Sequence, residues 1–191
     1  YMPITGNHDD PWTMNQYFPV SMFQNEPWYA GDSGGIENNY GLMTIGNEEY
    51  MFLQVETYDQ FSTFNPRGLE WSREILASHP NRKVILATHD TWETDHIKNN
   101  LLTQYDNIVL SNAGHTCQRE ALYLTTGPQG GVSHNFIADY QCDAQEIMLL
   151  RYYIFKPMDD IVEYYTYSPI TGQFEADASS QGSFTLIQED P

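Results

Sequence analysis

Lys83-Val84-Ile85-Leu86-Ala87-Thr88-His89-Asp90 is the stretch that decides the fold. Its apolar run shows no in-out alternation, which is the pattern of a strand covered on both faces. The run ends by delivering His89. Upstream, Arg67 to Ser78 places Leu69, Trp71, Ile75 and Leu76 on roughly one face at helical spacing. Pro66 suits the first turn of that helix and Pro80 its exit. Downstream, His96 to Gln104 reads as a short helix, and Asn107 to Leu110 as the next buried strand, ending near His115. A strand-helix-strand order of this kind predicts an α/β fold with its loop residues gathered at one rim of the sheet, where ligands bind in open α/β sheets.

Further out the chain becomes β-rich. Tyr40 to Ile45 and Tyr50 to Glu56 are aromatic and branched runs separated by Gly46-Asn47-Glu48-Glu49, a hairpin signal. Glu120 to Thr126, Val132 to Asp139, Glu146 to Phe155, Ile161 to Tyr167 and Ser183 to Gln188 all read as strands bounded by Gly, Pro or Asp. Residues 10 to 39, dense in Pro, Asn, Gly and aromatics, read as a long surface loop. No repeat, linker or low-complexity segment divides the 191 residues, so a single domain over 1–191 is expected.

The charge balance narrows the partners. With 26 acidic and 8 basic residues, the chain carries a net charge of -18. That field repels phosphate backbones and anionic lipid, so neither nucleic acid nor a membrane surface is expected as a partner. No run of about 18 apolar residues is present to span a bilayer. An anionic substrate would need local positive charge. Only Lys83, Lys98, Lys156 and five arginines are available, which makes a bound metal the natural supplier. Cys117 and Cys142 can form one disulfide, stay free, or include one metal ligand, and their number decides none of these. The compartment stays open between extracellular or periplasmic and cytoplasmic.

Three segments carry metal-capable side chains at strand-to-loop junctions: Gly6-Asn7-His8-Asp9 after a short apolar run taken as a strand, Thr88-His89-Asp90, and Gly114-His115-Thr116-Cys117. An Asn carboxamide oxygen is a hard neutral ligand, and imidazole nitrogen suits Zn, Mn, Fe or Co. An imidazole beside the ligand can protonate a leaving group. Gly114 offers a flexible bend next to His115, and Asp9 or Asp90 can orient the histidines as outer partners. His96 and His134 lie outside these motifs and read as surface or core histidines, although His134 in Gly130-Gly131-Val132-Ser133-His134 could reach a substrate. The aromatic set Tyr152, Tyr153, Phe155, Tyr164, Tyr165 and Tyr167 reads as sheet packing rather than a binding platform.

Gly-Asn-His-Asp, then a strand ending in histidine, then Gly-His-X-X resembles the second half of the calcineurin-like metallophosphoesterase family. The resemblance implies a partial β-sandwich flanked by helices and hydrolysis of phosphate esters by a metal-activated water. It implies that Asn7, His89 and His115 ligate one metal ion and that His8 is the catalytic imidazole near the leaving-group oxygen. The family's earlier motifs, Asp-X-His and Gly-Asp-X-X-Asp, would lie upstream of Tyr1, and its final Gly-His-X-His stands here as Gly114-His115-Thr116-Cys117. Cys117 is therefore read as a non-ligand, with about one divalent transition metal per chain.

The expected function is thus a metal-dependent hydrolase of small phosphate esters, as phosphomonoesterase or phosphodiesterase. The alternatives are a degenerate relative acting as a non-catalytic interaction module, or a mononuclear hydrolase of another ester class. Without the upstream half, an open sheet edge and apolar face should be covered by a second copy, so a homodimer is expected.

Overall fold

The computed structural model of the chain describes residues 1–57, 64, 66–91, 95–117, 119–142 and 148–186. Helix α1 (Pro11–Tyr17) and a 3₁₀ turn (Val20–Met22) lead into β1 (Tyr29–Asp32), β2 (Asn39–Ile45) and β3 (Glu48–Val55). Helix α2 (Pro66–Ser78) crosses to β4 (Lys83–Thr88). A helical turn α3 (Asp95–Ile97), continued by a π-helical turn (Lys98–Leu102), crosses to β5 (Ile108–Ala113). The rest is β6 (Arg119–Thr126), β7 (Val132–Asp139), β8 (Leu150–Lys156), β9 (Ile161–Ser168), β10 (Gln173–Phe174) and β11 (Gln181–Thr185).

The strands form two sheets. Seven run in the order β1-β2-β3-β4-β5-β7-β6, with β3, β4, β5 and β7 mutually parallel and the outer pairings antiparallel. In the second sheet β9 pairs with β8 on one side and with β10 and β11 on the other. The fold is α/β and β-rich, as the sequence predicts.

The unalternating run in β4 has its cause in two separate cores. Val84 and Leu86 pack with Met51, Leu53 and Val55 of β3 against Leu69 and Leu76 of α2 and Ile97, Leu101 and Leu102 of the second crossover. From the opposite face Ile85 packs with Tyr50, Leu110 and Phe136 against Val162 and Tyr164 of the second sheet. Val84, Ile85 and Leu86 thus each have an apolar layer to enter, and truncating Ile85 or Leu86 to alanine should cost about 2–5 kcal/mol. Phe155 and Tyr164 meet Tyr50 and Phe136 edge to face between the sheets. Tyr152 stacks on Tyr165 on the outer face instead, where Leu150, Ile154 and Phe174 are 44%, 41% and 54% exposed. The aromatic set therefore divides between core and surface.

Three expectations are corrected. Residues 10–39 are not irregular: Asp10 caps α1 by accepting from the Trp12 and Thr13 amides, and Pro11 takes the first helical position. Asparagines that looked like loop composition hold the segment together. Asn15 Oδ1 accepts from the Ile36 amide, and Asn39 Nδ2 donates to the Pro3 and Ile36 carbonyls. The second correction concerns the apolar run before Gly6, which is not a strand. Pro3 has no amide hydrogen for a ladder, and its carbonyl is taken by a side chain. The hairpin turn is tighter than read, with β3 beginning at Glu48 and Gly46 at φ +66°. Residues 146–147 and 187–188 of the expected strands lie outside the described residues.

Candidate metal centre

Parallel neighbours end at the same rim, and this brings the histidines together. His89 is the residue after β4, and His115 lies two residues beyond the end of β5. The Gly114 amide donates to the His89 carbonyl at 3.0 Å, tying the two strand exits. The imidazoles meet edge to face, ring centroids 4.5 Å apart. Asn7 arrives from a turn in which the Gly6 amide donates to the Asp9 carboxylate at 2.8 Å and the Asp9 amide to the Gly6 carbonyl at 3.0 Å. Its Oδ1 lies 2.8 Å from His89 Nε2 across 82 residues of sequence.

The three predicted ligands are therefore neighbours. Cis ligands about 2.1 Å from one ion lie roughly 3 Å apart, so the Asn7–His89 separation matches chelation as well as a hydrogen bond. Burial and the neighbouring His115 hold the His89 imidazole below its ordinary pKa, while Asp90, Asp9 and Asp139 pull the other way. A lowered pKa makes the ring give up its charge more readily, which favours a lone pair for a cation. Buried hydroxyls of Thr88 and Thr116, each next to one histidine, have no hydrogen-bond partner among the described residues. Among the described residues no three His, Cys, Asp or Glu side chains form a metal-sized group. The donors that fit are two imidazoles and a carboxamide.

Other residues around the rim have roles the sequence did not disclose. A Cβ on Gly6 would lie 2.9 Å from His89 Nδ1 and Cε1, so the backbone at Gly6 is a wall for the imidazole. The left-handed bend falls on His115 (φ +72°) and Cys117 (φ +50°), not on Gly114, whose Cβ would meet nothing nearer than 3.9 Å. Two non-glycine residues in that region cost about 1–2 kcal/mol each and need surroundings that impose them. Cys117 is bonded to Cys142. Asp139, 7% exposed, accepts from the Cys117 amide at 2.9 Å. The His8 side chain is exposed beside Asn7, and Asp90 is fully buried. His134 stacks on Phe184 and His96 on Phe64.

No family model matches the chain. A Bacillus subtilis (strain 168) protein, described as uncharacterized protein YvnB, is 24% identical across 88% of this chain. The match takes in 14% of that protein, so the chain spans about a seventh of the length of the curated relative it matches.

Proposed function

We propose that the chain is a domain of a metal-dependent phosphoesterase of the calcineurin-like kind. In it Asn7, His89 and His115 hold one divalent transition metal, Zn, Mn, Fe or Co. The observation that carries this reading is the convergence of Asn7 Oδ1 and the two imidazoles at the exits of β4 and β5. When bound, such an ion supplies Lewis acidity, neutralising charge on a phosphoryl oxygen and acidifying water. The chain's own residues do the rest. His89, its pKa lowered by burial and by His115, would give up the proton that Nε2 shares with Asn7 Oδ1 when the ring turns its lone pair to the ion. Asn7 adds a neutral oxygen, so the donors leave the ion's full charge to meet an anionic ester. His8, exposed next to Asn7, is placed to give a proton to the departing alcohol oxygen. The surface charge of -18 repels polyanions and favours a small phosphate ester over a nucleic acid.

The second reading is a one-metal hydrolase of another ester class or a non-catalytic module, since a fold does not fix a function. One experiment separates them. The chain is assayed with each of the four metals on a generic phosphomonoester, a phosphodiester and a carboxylic ester. Metal-dependent turnover of a phosphoester, lost in His89→Ala, is the expected result. Turnover of the carboxylic ester alone supports the second class, and metal binding without turnover supports the module.

A further inference from the structure

His115 is held in a conformation that its own backbone disfavours, and Cys117, two residues on, ties the chain after it to Asp139 and Cys142. The β6–β7 ladder ends at the pair Arg119↔Asp139, so residues 115–117 lie beyond its last rung. Two links carry the connection past that point. Cys117 is bonded to Cys142, their Cα atoms 5.3 Å apart. Asp139 spans the same gap, its Oδ2 accepting from the Cys117 amide at 2.9 Å and its Oδ1 from the Gln141 amide at 3.1 Å. Gln141 Nε2 donates to Asp139 Oδ2 at 3.2 Å, closing the arrangement. On the other side of His115, the Gly114 amide is fixed to the His89 carbonyl.

We propose that the Cys117–Cys142 disulfide and Asp139 form a clamp that positions His115 against His89. His115 is bracketed: the His89 carbonyl fixes the chain before it, and the clamp fixes the chain after it. With both ends held, the left-handed turn at His115 and the approach of the two rings are imposed rather than sampled. Without the clamp, His115 returns to the backbone regions it prefers, and its ring leaves that of His89. Ligand orientation set by neighbouring groups commonly changes metal affinity about 10- to 100-fold. The clamp's effect on affinity rests on the metal reading above, whereas its effect on ring proximity does not.

The test uses the oxidised chain and the variant Cys117→Ser/Cys142→Ser. The first reading, on metal-free protein, is the nuclear Overhauser contact between the His89 and His115 rings. The second is the zinc dissociation constant of the folded chain, by competition with a chromophoric chelator. The expected result is a strong inter-ring contact in the oxidised chain that is lost in the double variant, with zinc bound about 10- to 100-fold more weakly. A disulfide that served stability alone would lower the unfolding temperature and leave both readings as they were. An unchanged contact and a dissociation constant within about twofold overturn the proposal. Asp139→Asn retains the disulfide and gives the same comparison if the double variant does not fold; it should weaken both readings, and no change in either counts against the clamp. If the oxidised chain binds no zinc while the ring contact still depends on the clamp, the metal reading fails and the clamp stands.

Discussion

Arg151→Met should destabilise the fold by about 3–5 kcal/mol, because it strands a buried carboxylate. Glu120 and Arg151 sit between the sheets with side chains 6% and 4% exposed, and Nη2 lies 3.0 Å from Oε1. Glu120 also accepts from Tyr140 and Thr166 at 2.6 Å and from Ser180. Arg151 donates from Nε to Thr166 at 2.9 Å and from Nη2 to the Ser179 carbonyl at 2.8 Å, and its guanidinium lies over Phe136. Methionine fills much of the volume, so the loss is mainly electrostatic. For a chain of this size the cost corresponds to a fall in Tm of about 6–20 °C.

The same pair gives the pH dependence a sign. Burial raises the Glu120 pKa, but hydrogen bonds from Ser180, Thr166 and Tyr140 and the charge of Arg151 outweigh it, leaving a net depression. A carboxyl depressed in the folded state stabilises above its unfolded pKa, and that contribution is lost as pH falls through the folded value. Removing Arg151 lifts the folded value, so the deficit of the variant should be greatest near neutrality and shrink toward about pH 4. Urea unfolding followed by tryptophan fluorescence measures both effects. Arg151→Met/Glu120→Gln should recover about 2 kcal/mol or more of the loss. A single variant that loses under about 1 kcal/mol, or a double variant no more stable than the single, would refute the reasoning.

Gly6→Ala should press a methyl group into the His89 ring and weaken zinc binding about tenfold or more, while Gly114→Ala, with open space at Cβ, should bind as the parent does; calorimetric titration compares them. Tyr50→Phe removes a buried hydroxyl with no partner among the described residues and should raise stability by about 1 kcal/mol, read as a rise in Tm of about 2–4 °C. His8→Ala should lower turnover about 100-fold or more with metal content retained, whereas His89→Ala should lose the metal; equal metal loss in both would make His8 a ligand. The exposed outer face of the second sheet, and a β8 edge unpaired among the described residues, lead us to expect a homodimer; light scattering that shows a stable monomer would refute it.

The fold was legible where its signals are local. Lys83 to Thr88 announced a doubly covered strand, and Leu69, Ile75 and Leu76 a helix, because periodicity depends on neighbours within a few residues. Residues 10–39 misled on two counts: the Asp10-Pro11 start of α1 is a local signal that the loop reading passed over, and Asn15 and Asn39 stabilise the segment through partners about twenty or more residues away, which no local pattern shows. The two-residue β10 is too short to carry a period. At the site, Asn7, His89 and His115 could be nominated because each is a metal-capable side chain at an expected strand-to-loop junction, in motifs whose order resembles a known family. Their convergence needed β4 and β5 to be parallel neighbours. Asp139 was not legible, and the Cys117–Cys142 disulfide was only one open alternative, since both reach the site because β7 lies beside β5, an order that sequence does not encode locally.

Elemental analysis of the purified chain, loaded with zinc or manganese and then dialysed against metal-free buffer, tests the central claim most directly. The account predicts about one transition-metal ion retained per chain and none in Asn7→Ala/His115→Ala. Retention of two ions, of none, or of one ion undiminished in that variant would contradict it.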